Sequence, residues 1–511
     1  MSTLETFRLI AAGAAALAVL ALMFPDANPN SPRRSALIGL LTGAWALLTA
    51  SLIPQGDVDR ITDRLTGVGI LVAVLALAAA IAVVLVNRFP TLWFVLLAIA
   101  LPIRLPLNIG SQSANLLLPL YCVIIVGVVA LIVRSRRGTA AASPRSAWIA
   151  VPLGAFVIVT LVSLTWTSDW TEATAKVVFF YLPFILLFHL VGAWWPLAQQ
   201  PLRPIAATTV TIAVATALIA LLQFATRSIW WNTTLKQGNT YNRFFRTNGI
   251  FFDPNILGRF LALAIIVALA YLVVTDDRVQ TWIVATAIVV IAAGLVVTFS
   301  RSSALMLLVG LVIIGIRAFG AVKTITVTIA AVVLTAGPAL ALSENVRDKT
   351  TSMVGIAKAS EGRARLVKGG VELWRQEPVR GVGIGSFAQR YAETLPARER
   401  RRTRVVISHT APITVLAELG LVGVGFFAAL ILGTFIGLVR GIRRGPARAM
   451  SLITILAALG GILVHSVLYS AFFEDPYVWV LLAAGAALCV SATGRSEIGD
   501  GVAKELPAQV G

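Results

Sequence analysis

Long apolar runs recur along nearly the whole chain, and they constrain its fold more than any motif does. Each run lasts about 17 to 25 residues, the length that a helix needs to cross the hydrocarbon layer of a membrane. The runs lack the alternating period of barrel strands. Hydrophobic residues make up 58% of the chain and charged residues only 13%, which excludes an ordinary soluble domain. The sequence therefore predicts an all-α integral membrane protein.

The number of apolar runs predicts a polytopic helical bundle of roughly 12–15 spans. The predicted spans lie near residues 8–24, 36–53, 66–86, 90–105, 115–133, 148–166, 176–195, 205–224, 256–274, 281–298, 303–319, 323–342, 411–436, 451–470 and 476–492.

Basic residues concentrate in short loops and predict the orientation of the bundle. The clusters are Arg33–Arg34, Arg134–Arg145 and Arg440–Arg448. Short loops rich in Lys and Arg face the cytoplasm. The second and third clusters are separated by an even number of predicted spans, as two loops on one side must be. The net charge of +19 is thus explained by membrane orientation, and no nucleic-acid partner is expected.

The same parity places a long polar segment, residues 343–410, outside the cytoplasm. It holds about fourteen Lys and Arg against about seven Asp and Glu. Segments longer than about 60 residues translocate largely regardless of charge, so the positive-inside rule is not broken. An anionic partner would explain the excess of basic residues. The alternative is a solvated face that meets anionic lipid headgroups.

These features divide the chain into five regions. Residues 1–200 are predicted N-terminal membrane helices, and residues 201–342 are central membrane helices with an external loop at 226–255. The long extracytoplasmic loop, the C-terminal membrane helices and a disordered cytoplasmic tail then follow at 343–410, 411–493 and 494–511.

The external loop 226–255 interleaves aromatic residues with Arg243 and Arg246. Such a composition suits a segment at headgroup depth. Asn255, directly after Pro254, is interpreted as the N-cap of the next helix, whose free N–H groups would favour a nearby anion. An aromatic belt with an ordinary cap is the alternative.

A tight Ser–Arg–Ser–Ser turn separates two predicted spans with almost no loop. Arg301 follows Ser300 there. A charged residue kept near a membrane usually faces a polar cavity or a partner, because burial in lipid is costly. The alternative is an arginine that extends its head to the interface.

The long loop contains an amphipathic pattern from Arg365 to Arg375 and then a glycine-rich run that includes Gly383. That run lacks a preceding strand and the full glycine spacing, so it is no dinucleotide fingerprint. We interpret it as a tight turn that brings backbone close to neighbouring helices. His409 ends the loop at the mouth of the next apolar helix. By itself it is better explained as a helix-start histidine that satisfies backbone groups than as a catalytic residue.

Taken in order, these segments resemble the O-antigen ligase and O-antigen polymerase superfamily of bacterial envelope glycosyltransferases. The ligases carry His, then Asn, Ser or Gln, then nine variable residues and Gly-x-x-Gly. Here His409, Gly420 and Gly423 occupy the matching positions. Thr410 stands at the second position, where the ligase pattern has Asn, Ser or Gln. Threonine keeps a hydroxyl there but departs from the pattern, so a ligase and a polymerase both remain possible. The resemblance covers roughly residues 240–430.

The resemblance implies a helical fold of the C type in the bacterial cytoplasmic (inner) membrane. It also implies a metal-independent transfer, without a cofactor, of a glycan from a polyprenyl-pyrophosphate carrier to an acceptor hydroxyl on the outer face. The expected partners are this lipid-linked donor, a glycan or glycolipid acceptor, and the bilayer.

The reaction needs cations for a pyrophosphate leaving group and a base for the acceptor hydroxyl. Arginine suits the first task because its planar guanidinium stays charged and binds phosphate oxygens in pairs. Imidazole suits the second because it accepts a proton near neutrality. The candidate base is His409. The candidate pyrophosphate ligands are Arg301, Arg246 and Arg365, then Arg243 and Arg259, and the supporting residues are Asn255, Ser300, Gly383, Gly420 and Gly423.

Three other functions remain open at this stage. A polymerase of the same superfamily needs the same groups. A lipid-linked glycan flippase would more often show internal repeats, and none is evident. A non-catalytic assembly subunit would tolerate the loss of His409 and Arg301. Asp57 and Asp59 could hold a divalent cation, but they lie far along the chain from the other motifs, and a solvated loop is the alternative.

Overall fold

A computed structural model describes most of the chain and shows an all-α polytopic membrane fold. The described residues are 2–24, 32–53, 65–109, 112–139, 145–241, 244–330, 353–396, 410–445, 448–469 and 471–490. Within these ranges the exception to the all-α prediction is a short antiparallel hairpin. Its strands are β1 (Leu105–Ile109) and β2 (Gln112–Leu116), with Leu105 opposite Leu116.

The helices follow the apolar runs of the sequence. They are α1 (Thr3–Met23), α2 (Pro32–Ala50), α3 (Leu65–Arg88), α4 (Pro90–Ala100), α5 (Leu118–Arg136), α6 (Ala147–Val162), α7 (Trp170–Lys176), α8 (Leu182–Trp194), α9 (Leu202–Thr226), α10 (Thr233–Tyr241), α11 (Pro254–Leu272), α12 (Arg278–Val296), α13 (Arg301–Phe319), α14 (Ala321–Ala330), α15 (Met353–Gln376), α16 (Phe387–Thr394), α17 (Ala411–Arg444), α18 (Ala449–Leu468) and α19 (Pro476–Leu488).

Among the described residues, ten helices are long and apolar enough to cross a membrane, and four shorter apolar helices accompany them. Together these fall within the predicted range of spans. The predicted span 323–342 is described only as far as residue 330. The long loop is not structureless, because its described parts contain the two helices α15 and α16.

Helix α8 lies at the centre of the bundle. All of its residues are buried, including Phe184, Phe188 and Trp194, so it has no lipid-facing side. Helix α19 packs against it, with the rings of Phe184 and Trp479 in contact. A helix that is apolar on nearly every face suits such a buried position.

The chain enters α8 through a π-helical turn at Val177–Tyr181. Pro183 has no N–H to donate to the carbonyl of Phe179, so the regular helical ladder fails there. The hydroxyl of Tyr121 donates to that carbonyl at 2.7 Å, and the indole N–H of Trp45 donates to the carbonyl of Val178 at 2.8 Å. Side chains from α5 and α2 thus satisfy the two carbonyls and hold the turn.

One end of the bundle gathers the basic loops. The guanidinium of Arg440 lies over the ring of Trp148, and Ser146 donates a backbone hydrogen bond to Ala486. Arg448 donates to the carbonyl of Leu488. The clusters Arg134–Arg145 and Arg440–Arg448 are therefore on the same side of the bundle, as the even number of spans between them required.

Helices α6 and α17 pack side by side and run in opposite directions. Helix α6 starts at the basic end and leads into the segment 163–167, whereas α17 starts at the other end and reaches the basic end at Arg444. The start of α17, the segment 163–167 and the glycine-rich run therefore meet at the end opposite the basic loops.

Candidate functional site at the end opposite the basic loops

Three predicted site residues form one hydrogen-bonded cluster. Arg246 donates from Nε to the carbonyl of Thr298 at 3.0 Å and from Nη2 to Oδ1 of Asn255 at 3.0 Å. Ser300 Oγ donates to the same Asn255 oxygen at 3.0 Å. The cluster joins the loop before α11 to the turn before α13, although 45 residues separate Asn255 from Ser300 in the chain. Burial lowers the pKa of Arg246, and Asp253 opposes this shift.

Asn255 has a different role from the predicted one. The N-cap of α11 is Asp253, whose carboxylate accepts from the backbone N–H of Asn255 at 2.6 Å, and Pro254 is the first helical residue. The prediction of Asn255 as the cap was wrong by two residues, because Asp caps well and Pro favours the first helical position. The Asn255 side chain is thereby left to orient Arg246 and Ser300.

Arg301 is the first residue of α13, beside this cluster. Ser300 caps the helix, and Phe299 before it has a left-handed backbone with φ of 51°. The side chain of Arg301 is exposed, and it makes no hydrogen bond or ion pair with the part of the chain that the structure describes. A held arginine and an uncommitted one therefore stand on the two sides of Ser300.

Arg259 lies on α11 one turn after Asn255 and is buried. Its Nε is 2.8 Å from Oδ2 of Asp475, and its Nη1 donates to the carbonyl of Ala471 at 2.8 Å. The guanidinium thus fixes the segment 471–475 to α11. A phosphate at Arg259 would have to compete with the Asp475 carboxylate.

The remaining predicted residues lie around α15 and the start of α17. Arg365 is exposed on α15, and the second half of this helix packs across the start of α17, where Gly370 meets Ile413. Thr410 is the N-cap residue of α17. His409 and Arg243 lie outside the described residues.

The glycine-rich run pairs with a break in α17. Gly420 has φ of 61° and ψ of −159°, so the helical hydrogen bonds across it are lost. The carbonyls of Ala417 and Glu418 accept instead from the N–H groups of Val382 and Gly383, both at 2.9 Å. The N–H groups of Leu421 and Val422 donate to the carbonyls of Pro378 and Val379 at 2.9 and 3.2 Å. Two lost helical bonds are thereby replaced by four bonds to another segment.

Glycine is required at this crossing because two backbones touch. Gly381, Gly383 and Gly385 have φ of 68°, 94° and 76°. A Cβ on Gly420 would lie 2.3 Å from the carbonyl oxygen of Val379, and one on Gly383 would lie 2.6 Å from Cα of Thr167. Gly423 has helical backbone but is also crowded, because its Cβ would lie 2.2 Å from that of Leu419. The interpretation of the glycine run as a close-packing turn agrees with this geometry.

The same run also docks on the segment 163–176. Ser386 Oγ accepts from the N–H of Ser168 at 2.9 Å and lies 2.9 Å from the hydroxyl of Thr167. Thr167 in turn donates to the carbonyl of Ile384 at 2.7 Å. The run is therefore clamped between α17 and the chain that enters α7.

A buried ion pair lies behind the clamp. Lys176 Nζ is 2.9 Å from Oε1 of Glu418, and the same carboxylate accepts from the N–H of Phe387 at 3.4 Å. The sequence analysis did not select this pair. The sequence did contain an indication of it: one apolar run contains Lys176 and another contains Glu418. An ionisable residue inside a membrane span almost always has a partner.

Glu474 adds a further carboxylate next to this pair. Burial raises its pKa from 4.5 to about 7; Glu418 raises it as well, whereas Lys176 and Arg259 lower it. Three carboxylates, those of Glu172, Glu418 and Glu474, thus surround one lysine.

Among the described residues, no group of three or more His, Cys, Asp or Glu side chains is arranged to hold a metal ion. Asp57 and Asp59 lie outside the described residues.

We predict that Gly420→Ala destabilises the protein. The change forces a side chain into a left-handed conformation and against the Val379 carbonyl, which costs about 2 kcal/mol or more. The measurement is the free energy of unfolding of the full chain in detergent. Gly425→Ala is the matched control on the same helix, since its Cβ meets nothing within 4 Å and alanine has the higher helix propensity. Equal stability of the two variants would contradict the proposed crossing.

We also predict that Glu474→Gln changes how stability depends on pH. The folded state holds the Glu474 proton more tightly than the unfolded state does. Its stabilising contribution is therefore complete below pH 4.5 and is lost as the pH rises through about 7. Between pH 5 and 8 the free energy of unfolding of the variant should rise relative to that of the wild type, by at most about 3 kcal/mol.

The matched control for this experiment is Glu377→Gln. Arg380 lowers the pKa of the exposed Glu377, so this carboxyl does not titrate between pH 5 and 8. Thermal unfolding at several pH values would measure both variants. If stability changes with pH equally in Glu474→Gln and in the wild type, the pKa of Glu474 is not raised in the folded state, and the prediction is wrong.

Comparison with known proteins gives one family match. Residues 286–428 match the family model described as O-antigen ligase. The matched range contains the Ser300–Arg301 turn, α15, the glycine-rich run, His409 and the break at Gly420. No curated protein matches the chain significantly. The family match supports the resemblance that the motifs indicated: residues 286–428 of this multi-pass membrane protein are similar to the O-antigen ligase family.

Proposed function

We propose that the protein transfers a glycan from a polyprenyl-pyrophosphate carrier to an acceptor hydroxyl on the extracytoplasmic face of the cytoplasmic membrane. The observation that carries this proposal is the cluster of Arg246, Asn255 and Ser300, with the uncommitted Arg301 beside it. The family match supports a ligase-type or polymerase-type reaction in general.

The two arginines suit different parts of a pyrophosphate. Arg246 is held by Thr298 and Asn255, so it needs no reorganisation when charge develops on a leaving group. Arg301 is free to approach the lipid-linked phosphate and to bind it with two parallel hydrogen bonds. The capped start of α13 beside it adds the favourable end of a helix dipole.

In the proposed reaction the acceptor oxygen attacks the anomeric carbon of the donor sugar. The bond from that carbon to the pyrophosphate oxygen breaks, and polyprenyl pyrophosphate leaves with the electron pair. His409 accepts the proton of the acceptor hydroxyl. The helix that follows His409 begins at Ala411, at the end of the bundle that also holds the arginine cluster.

The proposed side of the membrane follows from the two ends of the bundle. The basic clusters gather at the end opposite the site, and basic short loops face the cytoplasm. The site end would then face outward, where a lipid-linked glycan is available only after it has crossed the membrane.

We expect His409→Ala and Arg301→Ala to abolish transfer while the protein still inserts and folds. Loss of a general base costs about 10²- to 10⁴-fold in rate, and loss of a group that stabilises developing charge about 10²- to 10³-fold. Arg317→Ala is the matched control, since Arg317 is an exposed arginine at the far end of the same helix α13.

The assay supplies purified protein with a lipid-linked repeat unit and identifies the product. Chain growth on the polyprenyl lipid indicates a polymerase, and transfer to a second acceptor indicates a ligase. Lipid that crosses the bilayer without transfer indicates a flippase and refutes the proposal. Wild-type rates in both alanine variants would favour a non-catalytic assembly subunit.

We further expect transfer to continue in the presence of EDTA. The proposed leaving group is neutralised by arginine, whose charge does not depend on a metal. The measurement is the initial rate with and without chelator. Complete loss of activity in EDTA that magnesium restores would refute metal independence and leave the proposed roles of His409 and Arg301 to be tested by the variants.

A further inference from the structure

The buried cations at the two ends of the bundle have different partners. At the site end, Arg259 is paired with the carboxylate of Asp475 at 2.8 Å. At the basic end, Arg145 donates from Nη1 to Nδ1 of His189. Arginine has no acceptor atom, so this imidazole nitrogen must accept and carries no proton. The imidazole therefore orients the guanidinium of Arg145 but brings no negative charge to it.

The charge that acts on Arg145 has the same sign as its own. Burial, and then the charge of Arg34, lower the pKa of Arg145 from 12.5 to about 10, and no carboxylate of the described residues opposes this shift. The guanidinium still stays charged at neutral pH. Arg145 is thus a half-buried cation under repulsion from a neighbouring arginine. Such a charge is costly to keep away from water unless an anion balances it.

The start of α6 adds to the positive potential at this place. Arg145 directly precedes Ser146, the N-cap of α6, which makes no cap bond through its side chain. Within the described residues the first N–H groups of the helix therefore stay open, and a helix start favours an anion. The backbone is held in place, because the N–H of Ser146 donates to the carbonyl of Ala486 at 3.0 Å. A fixed backbone thus presents Arg145 and the helix start together.

This group lies at the depth of lipid headgroups. Trp148, in the first turn of α6, is exposed and lies under the guanidinium of Arg440. Tryptophan and arginine at the end of a membrane helix are typical of the interface between lipid and water. On the neighbouring helix α2, Leu40 and Leu47 are exposed on one face. An apolar face therefore runs from the basic end into the bilayer, where it can contact an acyl chain.

We propose that Arg145 and the start of α6 bind the headgroup of an anionic phospholipid in the leaflet at the basic end of the bundle. The N–H groups of Arg145 that His189 does not occupy donate to the phosphate oxygens in a planar fork. Arg34 adds positive charge, which favours a lipid with net negative charge over a zwitterionic one. Basic sites between membrane helices bind such headgroups in other proteins.

The bound lipid would connect three helices. Arg34 lies in the first turn of α2, Arg145 precedes α6, and His189 is buried on α8. A phosphate that balances the charge of Arg145 removes a cost of folding, so the lipid should stabilise the protein. The site is at the end of the bundle opposite the Arg246 cluster, so it does not depend on the proposed transfer reaction.

The test is lipid binding to the purified full chain in detergent, measured by native mass spectrometry and by the shift in thermal unfolding. The probes are phosphatidylglycerol, phosphatidylethanolamine and inorganic phosphate. The first two share a phosphate and acyl chains and differ in net charge, and the third has no acyl chain. The variants are Arg145→Gln and Arg145→Lys. The matched control is Arg317→Gln, which removes an exposed arginine from α13 at the same end of the bundle.

We expect the wild type to bind phosphatidylglycerol about tenfold more tightly than phosphatidylethanolamine, and Arg145→Gln to lose most of this preference. Arg145→Lys should lose part of the affinity, because it keeps the charge but not the fork. Arg317→Gln should change the affinity by no more than about twofold, since an exposed charge contributes little. Phosphatidylglycerol should raise the unfolding temperature of the wild type more than that of Arg145→Gln.

Three results would overturn the inference. The first is equal affinity of the wild type for the two phospholipids. The second is an equal loss in Arg145→Gln and Arg317→Gln, which would indicate diffuse attraction to any basic loop. The third is displacement of phosphatidylglycerol by inorganic phosphate at equal concentration, which would indicate a soluble ligand. If Arg145→Gln does not fold, Arg34→Gln decides, and an unchanged preference for phosphatidylglycerol in that variant also refutes the site.

Discussion

The exchange of backbone hydrogen bonds at Gly420 organises the site end of this protein. Peptide groups released within a membrane protein must find partners, because lipid offers none. Here Pro378, Val379, Val382 and Gly383 supply all of them, so α17 can break without leaving polar groups exposed to hydrocarbon. The break directs the short first part of α17, with Thr410 at its start, across α15. The position of Thr410 is thus governed by bonds made about ten residues later.

The buried charges behind this crossing add specificity more than stability. Transferring an ammonium and a carboxylate from water is costly, and their attraction often does no more than offset that cost. Lys176 and Glu418 nevertheless fix one arrangement, because Glu418 also accepts from the N–H of Phe387. Glu474 places a further carboxylate near the same lysine, and burial, followed by the charge of Glu418, raises its pKa although Lys176 lowers it. The charge of Glu474 therefore links the segment 471–475, which Arg259 fixes, electrostatically to the pair of Lys176 and Glu418.

The sequence correctly predicted those features that depend on residues close together in the chain. Hydropathy depends only on neighbouring residues, so the predicted spans fall on helices wherever the structure describes them, and loop charge correctly predicted that two basic clusters lie at one end. The tight turn at Ser300 and the close-packing glycines were also readable, because each depends on a few neighbouring residues. The cap at Asp253 was missed because two residues that cap helices well, Asp253 and Asn255, lie two positions apart. The pair of Lys176 and Glu418 could not be derived, since its partners are 242 residues apart and only the tertiary fold brings them together.

The same distinction explains why Tyr477 escaped the motif analysis. A tyrosine in the first turn of a helix is an ordinary interfacial residue in a sequence. Its surroundings emerge only when Asp475 is seen to be committed to Arg259 and to the Tyr477 backbone. A carboxylate that is already engaged leaves the buried Tyr477 hydroxyl without an acceptor among the described residues. Arg246 and Arg301 show two uses of arginine at one end of the bundle: Arg246 is held by Thr298 and Asn255, whereas Arg301 makes no hydrogen bond with the described residues.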